Sequence, residues 1–192
     1  MDGLTERLLS TYLNVRAAMR REIDAWHNEG QLLVYLLLAC LLWFVAGVPF
    51  AMRSGPGGDT LPIFEVVTGS RLLIYFVLLP LILYLLAALS RVISRIFGGS
   101  GDFNNARLAL FWAFLSAAPA ILAISLIGAL GVILFGLPVA VVWLVLFLAE
   151  FSLVIGLWAA CLAEAEDFDS EARVSVFMLA PVMLGPLLHM TI

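Results

Sequence analysis

Long apolar runs without charge alternate with short polar segments along most of this chain. A helix needs ~20 apolar residues to cross a hydrocarbon core of ~30 Å. Residues 32–51 form one such run, and residues 72–89, with Pro80 near their middle, form a second. A final and shorter run covers residues 174–190. Each of these three runs predicts a membrane-spanning helix.

The apolar stretch from residue 108 to residue 163 contains a single charged residue, Glu150. At ~1.5 Å per residue, one helix over the whole stretch would be far longer than a single crossing. Glycines and a proline lie near its middle, within residues 131–138, and favour a tight turn there. The pattern therefore predicts two spans, over residues 108–130 and residues 139–163.

Composition agrees with a membrane protein and excludes a water-soluble domain. Apolar residues make up 64% of the chain and charged residues only 12%, whereas a soluble domain has roughly 25% charged residues. We therefore predict an all-α fold in which residues 31–192 form a bundle of five transmembrane helices. Cys40 and Cys161 lie inside apolar runs, so no disulfide is expected.

The residues before the first span carry a helical stripe of apolar side chains. Its members recur every three or four positions: Leu4, Leu8, Tyr12, Val15, Met19, Ile23 and Trp26. Arg16, Arg20 and Arg21 lie mostly off this stripe, and the indole of Trp26 favours the headgroup region. Residues 1–30 are therefore predicted to form one amphipathic helix on the cytoplasmic membrane surface, where arginines attract anionic lipids. The alternative is a helix packed against the protein's own loops, which would show the same periodicity.

Arginine is unevenly distributed between the two sides of the predicted bundle. Eight arginines fall on the side of the N-terminus: Arg7, Arg16, Arg20, Arg21, Arg91, Arg95, Arg107 and Arg173. Only Arg53 and Arg71 fall on the other side. Because cytoplasmic segments carry an excess of basic residues, this bias predicts a cytoplasmic N-terminus and, with five spans, an external C-terminus.

Glu150 is the ionisable side chain predicted to lie deep within a span. A carboxylate there costs ~2.5–3.5 kcal/mol on insertion scales and usually faces the bundle interior. Two interpretations stay open: a proton- or ion-linked carboxylate, or a protonated or hydrogen-bonded residue that joins helices. The second is favoured, because no other acid and no histidine is predicted at the same depth. We expect Glu150 to face other helices and not lipid.

The two longer polar loops on the predicted cytoplasmic side show no catalytic or metal-binding pattern. Gly98, Gly99, Gly101 and Phe103 lie in a segment that no Gly-Lys-Ser/Thr sequence follows, so we interpret it as a flexible turn and not as a phosphate-binding loop. The other loop holds acidic residues whose spacing fits no calcium-binding loop and which we interpret as solvated: Glu164, Glu166, Asp167, Asp169 and Glu171. We expect a non-enzymatic protein with no metal, no cofactor and no nucleic-acid partner.

Small side chains recur every four residues along the third predicted span, at Ala109, Ala113 and Ala117. This spacing lets two helices approach closely. The stripe serves either packing inside the bundle, which we favour, or a face for a second copy of the chain.

Short motifs in the N-terminal segment, the first cytoplasmic loop and the third span carry a resemblance to a known family. They are Asn14 to Arg21, Gly98, Gly99, Gly101, Phe103, Ala106 and Pro119. With the five-span pattern, they resemble the bacterial branch of the Ypt-interacting protein (Yip) domain family over roughly residues 10–190. The resemblance implies a five-helix membrane domain. Eukaryotic members are associated with Rab-type GTPases and vesicle traffic, but their Asp-Leu-Tyr-Gly-Pro motif is absent before the first span here, so no Rab binding is implied.

Three hypotheses for function remain at this point. The leading one is a non-enzymatic protein of a bacterial cytoplasmic membrane that organises lipids or partner proteins. The alternative is a small transporter or permeability factor that uses Glu150 as a functional carboxylate. An intramembrane enzyme ranks third, because paired catalytic groups are lacking. The expected partners are the lipid bilayer, including anionic lipids, and a protein partner or a second copy of the chain.

Overall fold

A computed structural model of the protein describes residues 3–25, 28–51 and 69–168. These residues form six helices: α1 Leu4–Leu13, α2 Val15–Asp24, α3 Glu29–Ala51, α4 Gly69–Ile96, α5 Phe103–Phe135 and α6 Val139–Ala165. No strand occurs among the described residues, which agrees with the predicted all-α class.

Four of these helices, α3 to α6, are long and apolar enough to cross a membrane. They contain the spans predicted over residues 32–51, 72–89, 108–130 and 139–163. The fifth predicted span, residues 174–190, lies outside the described residues. The four helices indicate a multi-pass membrane protein, while a total of five spans stays a prediction. The observed helices are mostly longer than the predicted spans. A predicted span ends at a charged residue or a glycine, whereas helical hydrogen bonding continues past it.

The turn between α5 and α6 is shorter than predicted. Helix α5 continues through Gly131 as far as Phe135, and only residues 136–138 are non-helical. Gly136 ends the helix with φ 63° and ψ 27°, the left-handed conformation that glycine adopts at little cost. Pro138 then precedes the first residue of α6.

Helix α4 contains one wide turn immediately before its proline. Residues Ile74–Leu78 are π-helical, and the Leu79 N–H donates to the carbonyl oxygen of Ile74. Pro80 has no N–H, and in a regular α-helix its ring would clash with the carbonyl group four residues earlier. The π turn provides a local rearrangement at this point while the helix continues.

The N-terminal segment differs from the prediction of one helix over residues 1–30, because it forms two helices. Asn14 separates α1 from α2 with extended backbone, φ −155° and ψ 96°, and its side chain accepts a hydrogen bond of 3.0 Å from the Ala17 N–H. This is an N-cap, for which asparagine is among the preferred residues. The apolar stripe continues across the break, so its periodicity did not show it.

Packing is uneven along α5 and α6. We call residues 103–118 and 154–165 the cap half, and residues 122–135 and 139–150 the far half. In the cap half, most side chains are buried by α2, α3 and α4, with Phe111 and Trp112 fully buried. In the far half, large apolar side chains such as Phe135 and Trp143 are exposed.

Candidate functional site

One end of the helix bundle gathers most of the described charged side chains. Helix α4 ends there, α5 begins there and α6 ends there. We use the name charged cap for the ion-paired residues at this end: Arg16, Arg20, Glu29, Arg91, Arg107, Glu164 and Glu166. The carboxylates of the cap come from α3 and from the end of α6, and its arginines come from α2, α4 and α5.

Glu166 lies at the centre of the cap and is only 1% exposed. Its Oε2 accepts a hydrogen bond of 2.6 Å from Arg91 Nη1 and one of 3.1 Å from the Gly101 N–H. Its backbone carbonyl accepts a bond of 3.2 Å from the Ser100 N–H. Glu166 therefore connects the end of α6 to α4 and to the glycine-containing loop.

The loop glycines allow this close approach. A Cβ on Gly99 would lie 2.7 Å from Glu166 Oε2, and a Cβ on Gly101 would clash with the Ala165 carbonyl oxygen. Among the three glycines of this loop, only Gly98 has a positive φ, 89°. The expectation of a flexible turn therefore misses the main reason for Gly99 and Gly101, which is the space needed for the end of α6. Phe103 is the first residue of α5, and the centre of its ring lies 4.7 Å from Cζ of the Arg107 guanidinium.

Burial raises the pKa of Glu166 above its ordinary value, because a carboxylate loses solvation inside the protein. The Arg91 charge and the Gly101 N–H act in the opposite direction, since both stabilise the ionised form. Within the described part of the chain, Glu166 Oε1 has no hydrogen-bond partner.

Glu164 attaches the N-terminal segment to the membrane helices. Its side chain, 9% exposed, forms ion pairs with Arg20 and, at 4.0 Å, with Arg16. Arg16 also donates a hydrogen bond of 2.9 Å to the Phe168 carbonyl oxygen. The interpretation of the acidic loop as solvated is therefore wrong for Glu164 and Glu166, because a basic partner compensates each carboxylate. Asp167 is exposed as expected, while Asp169 and Glu171 lie outside the described residues.

The residues predicted for the membrane surface have contacts within the chain. Arg16 and Arg20 bind Glu164, and Arg21 donates a hydrogen bond of 2.8 Å to Ser10 Oγ on α1. Trp26 lies outside the described residues. Helix α2 packs against α6 and α5, which agrees with the alternative of packing against the protein itself. Binding of this segment to lipid stays a prediction.

A second buried ion pair, which the sequence analysis did not identify, joins α1 to α2. Arg7 binds the carboxylate of Glu22, which is 3% exposed, and donates a hydrogen bond of 2.8 Å to the Tyr35 hydroxyl on α3. The Arg7 guanidinium also lies 5.4 Å from the centre of the Trp112 ring. The hydrogen bond to Glu22 raises the pKa of Arg7 above its ordinary value, although burial opposes it. No sequence signal indicates this contact, because it depends on how two helices meet.

Glu150 lies on α6 in the far half and faces α5. Its Oε1 accepts a hydrogen bond of 3.0 Å from Ser125 Oγ on α5, and the residue is half-buried. The two helices are close here, since a Cβ on Gly128 would lie 2.6 Å from a methyl group of Leu146. The carboxylate therefore faces the neighbouring helix. Among the described residues, no group of three or more His, Cys, Asp or Glu side chains could hold a metal ion.

The small residues of α5 lie inside the bundle. Ala109, Ala113 and Ala117 are all 0% exposed, so the chain itself covers this stripe. Pro119 follows within the same helix and removes a hydrogen-bond donor. Nearby carbonyl groups accept side-chain donors: Phe114 from Trp43 Nε1 at 3.2 Å, and Ser116 from the Tyr12 hydroxyl.

The chain matches no family model, and comparison with curated proteins and with solved structures found no match. The resemblance to the Yip domain family therefore rests on the motifs in the sequence.

Proposed function

We propose that this protein is a non-enzymatic, Yip-domain-like membrane protein that organises lipids or partner proteins. The observation that carries this proposal is the charged cap, in which ion pairs hold α2 and the glycine-containing loop against the ends of the membrane helices. Such an arrangement presents a preorganised surface, and preorganisation reduces the entropic cost of binding.

The proposed location is a bacterial cytoplasmic membrane with the charged cap in the cytoplasm. The placement of the arginines supports this orientation. Arg16, Arg20, Arg91 and Arg107 belong to the cap, whereas Arg71 lies towards the other end of α4, where it donates a hydrogen bond of 2.8 Å to the Gly47 carbonyl oxygen. An excess of arginine on one side is typical of the cytoplasmic face.

The proposal is tested by isolating the full-length protein in native-lipid particles and identifying the lipids and proteins that accompany it. The variant Arg16→Ala/Arg20→Ala detaches α2 from Glu164 and should lose the enriched species. Arg21→Ala is the control, since Arg21 is exposed and its hydrogen bonds go to Ser10 on α1 and to Ala17 in its own helix. If wild type enriches nothing beyond what an unrelated multi-pass protein enriches, the organising role is wrong.

The pair of Glu150 and Ser125 favours a second candidate, a small transporter or permeability factor with a functional carboxylate. Intramembrane carboxylates often mark ion or substrate pathways. In proteoliposomes, Glu150→Gln should then abolish a pH-dependent flux, and Glu6→Gln, which changes an exposed carboxylate on α1, should preserve it. No flux with wild type would contradict the transporter.

A further inference from the structure

Helix α1 lies on the membrane side of the charged cap. The Tyr12 hydroxyl donates to the Ser116 carbonyl oxygen. Along the axis of α5, Ser116 lies roughly 14 Å from the cap residue Arg107, at the rise of an α-helix. Arg7 contacts Tyr35 on α3, which follows the cap residue Glu29 by roughly 9 Å. Two independent contacts therefore place α1 beside the membrane helices and not above their ends.

Helix α1 has one edge packed on the protein and one edge that is exposed and apolar. Leu8 and Thr11 are buried, whereas Leu9 is 68% and Leu13 is 89% exposed. The exposed polar side chains Thr5 and Glu6 lie in the first turn of α1. The exposed edge thus changes from polar to apolar along the helix, towards the end at which Tyr12 contacts α5.

Exposed side chains of α3 near Tyr35 indicate what surrounds the apolar edge of α1. On α3, Leu33, Val34 and Leu37 flank Tyr35 in sequence and are 46%, 59% and 39% exposed. Helix α3 is one of the helices long and apolar enough to cross a membrane, so these side chains meet lipid. The contact of Arg7 with Tyr35 places α1 at the depth of these exposed apolar side chains.

We propose that the edge of α1 formed by Leu9 and Leu13 inserts among the acyl chains of the leaflet next to the charged cap. This inference rests on the proposed function and names its lipid contact. The buried pair of Arg7 and Glu22 makes the position feasible, since each neutralises the other where α1 contacts α3 and α5 through Arg7 and Tyr12. Membrane contact is thereby assigned to leucines of α1, and the Arg16 and Arg20 side chains serve to hold α2 on α6.

The test places one nitroxide label at a time on the full-length protein in lipid nanodiscs. Leu9→Cys and Leu13→Cys report on the apolar edge, and Thr5→Cys is the matched control in the polar first turn of the same helix. The background carries Cys40→Ala and Cys161→Ala, which change two buried thiols. Because Leu9 and Leu13 are exposed, labels there leave the packed side of α1 unchanged.

Collision of each label with oxygen, which partitions into lipid, is compared with collision of a water-soluble nickel chelate. The labels at residues 9 and 13 should favour oxygen, and the label at residue 5 should favour the chelate. A label at residue 13 that favours the chelate would overturn insertion, because the edge then faces water. A label shielded from both reagents would also overturn it, because protein, from this chain or from another, then covers the edge. Either result can occur while native-lipid particles still contain specific partners, so failure of the insertion and failure of the organising role are distinguishable.

Discussion

The cap half and the far half of the α5–α6 hairpin are both apolar, yet they pack in opposite ways. In the cap half, α2, α3 and α4 surround the hairpin, and side chains such as Phe111 and Trp158 are buried. In the far half, Leu134 and Trp143 are largely exposed. Apolar residues have little hydrophobic reason to be buried inside a bilayer, because lipid tails are equally apolar. The comparison indicates that polar contacts and close helix packing in the cap half provide most of the specific tertiary structure.

The largest difference between the halves is expected when a cap carboxylate loses its partner. Arg91→Ala leaves Glu166 buried without a cation, and removing one partner of a buried ion pair costs ~3–5 kcal/mol. A large decrease of the melting temperature in detergent is the expected result. Arg95→Ala in the same helix changes an exposed arginine and should leave the melting temperature close to wild type. Equal effects of the two variants would contradict a stabilising cap.

Adding one methyl group at a glycine compares the two halves directly. Gly101→Ala places a Cβ against the Ala165 backbone carbonyl oxygen, which cannot move without shifting the end of α6. Overpacking of this kind costs ~1–3 kcal/mol. The nearest atoms to the new Cβ of Gly128→Ala in the far half belong to the flexible side chain of Leu146, so this variant should cost less. Thermal unfolding of both variants measures the difference, and greater destabilisation by Gly128→Ala would contradict the conclusion that the cap half provides most of the specific tertiary structure.

The cap should also make stability depend on pH through Glu166. Burial raises the pKa of Glu166 in the folded protein above the ordinary value of 4.5. Between the two pKa values the folded protein binds more protons than the unfolded chain, so this contribution is present below pH 4.5 and is lost as pH rises through the folded pKa.

As pH rises from 4.5 through the folded pKa of Glu166, the melting temperature of wild type should therefore fall relative to that of Glu166→Gln, which cannot titrate. Glu6→Gln, at an exposed site on α1, is the control and should follow wild type. A constant difference between wild type and Glu166→Gln would show that Glu166 does not titrate differently in the folded and unfolded states.

The smallest effect is expected at Glu150 in the far half. Hydrogen bonds between membrane helices average only ~0.6 kcal/mol, and Glu150 accepts one from Ser125. Glu150→Gln should preserve the melting temperature, and Glu150→Leu should lower it slightly or leave it nearly unchanged. If Glu150→Leu lowered the melting temperature as much as Arg91→Ala, the contact of Glu150 in the far half would contribute as much stability as the ion pair of the cap.

The sequence alone determined the helical class and the positions of four apolar helices, because transfer of ~20 consecutive residues into lipid is a sum of local contributions. It also indicated that Glu150 would face a neighbouring helix, since an intramembrane carboxylate needs a polar partner. The break at Asn14 had a local signal, the preference of asparagine for N-caps, but the unbroken apolar stripe concealed it.

Only the tertiary structure decided which charges are buried. Arg91 and Glu166 are 75 positions apart in the chain, and Arg7 meets Glu22 only because α1 and α2 fold back on each other. In the sequence, acidic residues after a span look solvated, since the partner that compensates burial of each carboxylate lies on another helix. Gly101 likewise looks like a flexible loop residue until the end of α6 is packed against it. Local patterns specify which segments enter the membrane, but pairing of buried charges depends on contacts between distant segments, which a local pattern does not contain.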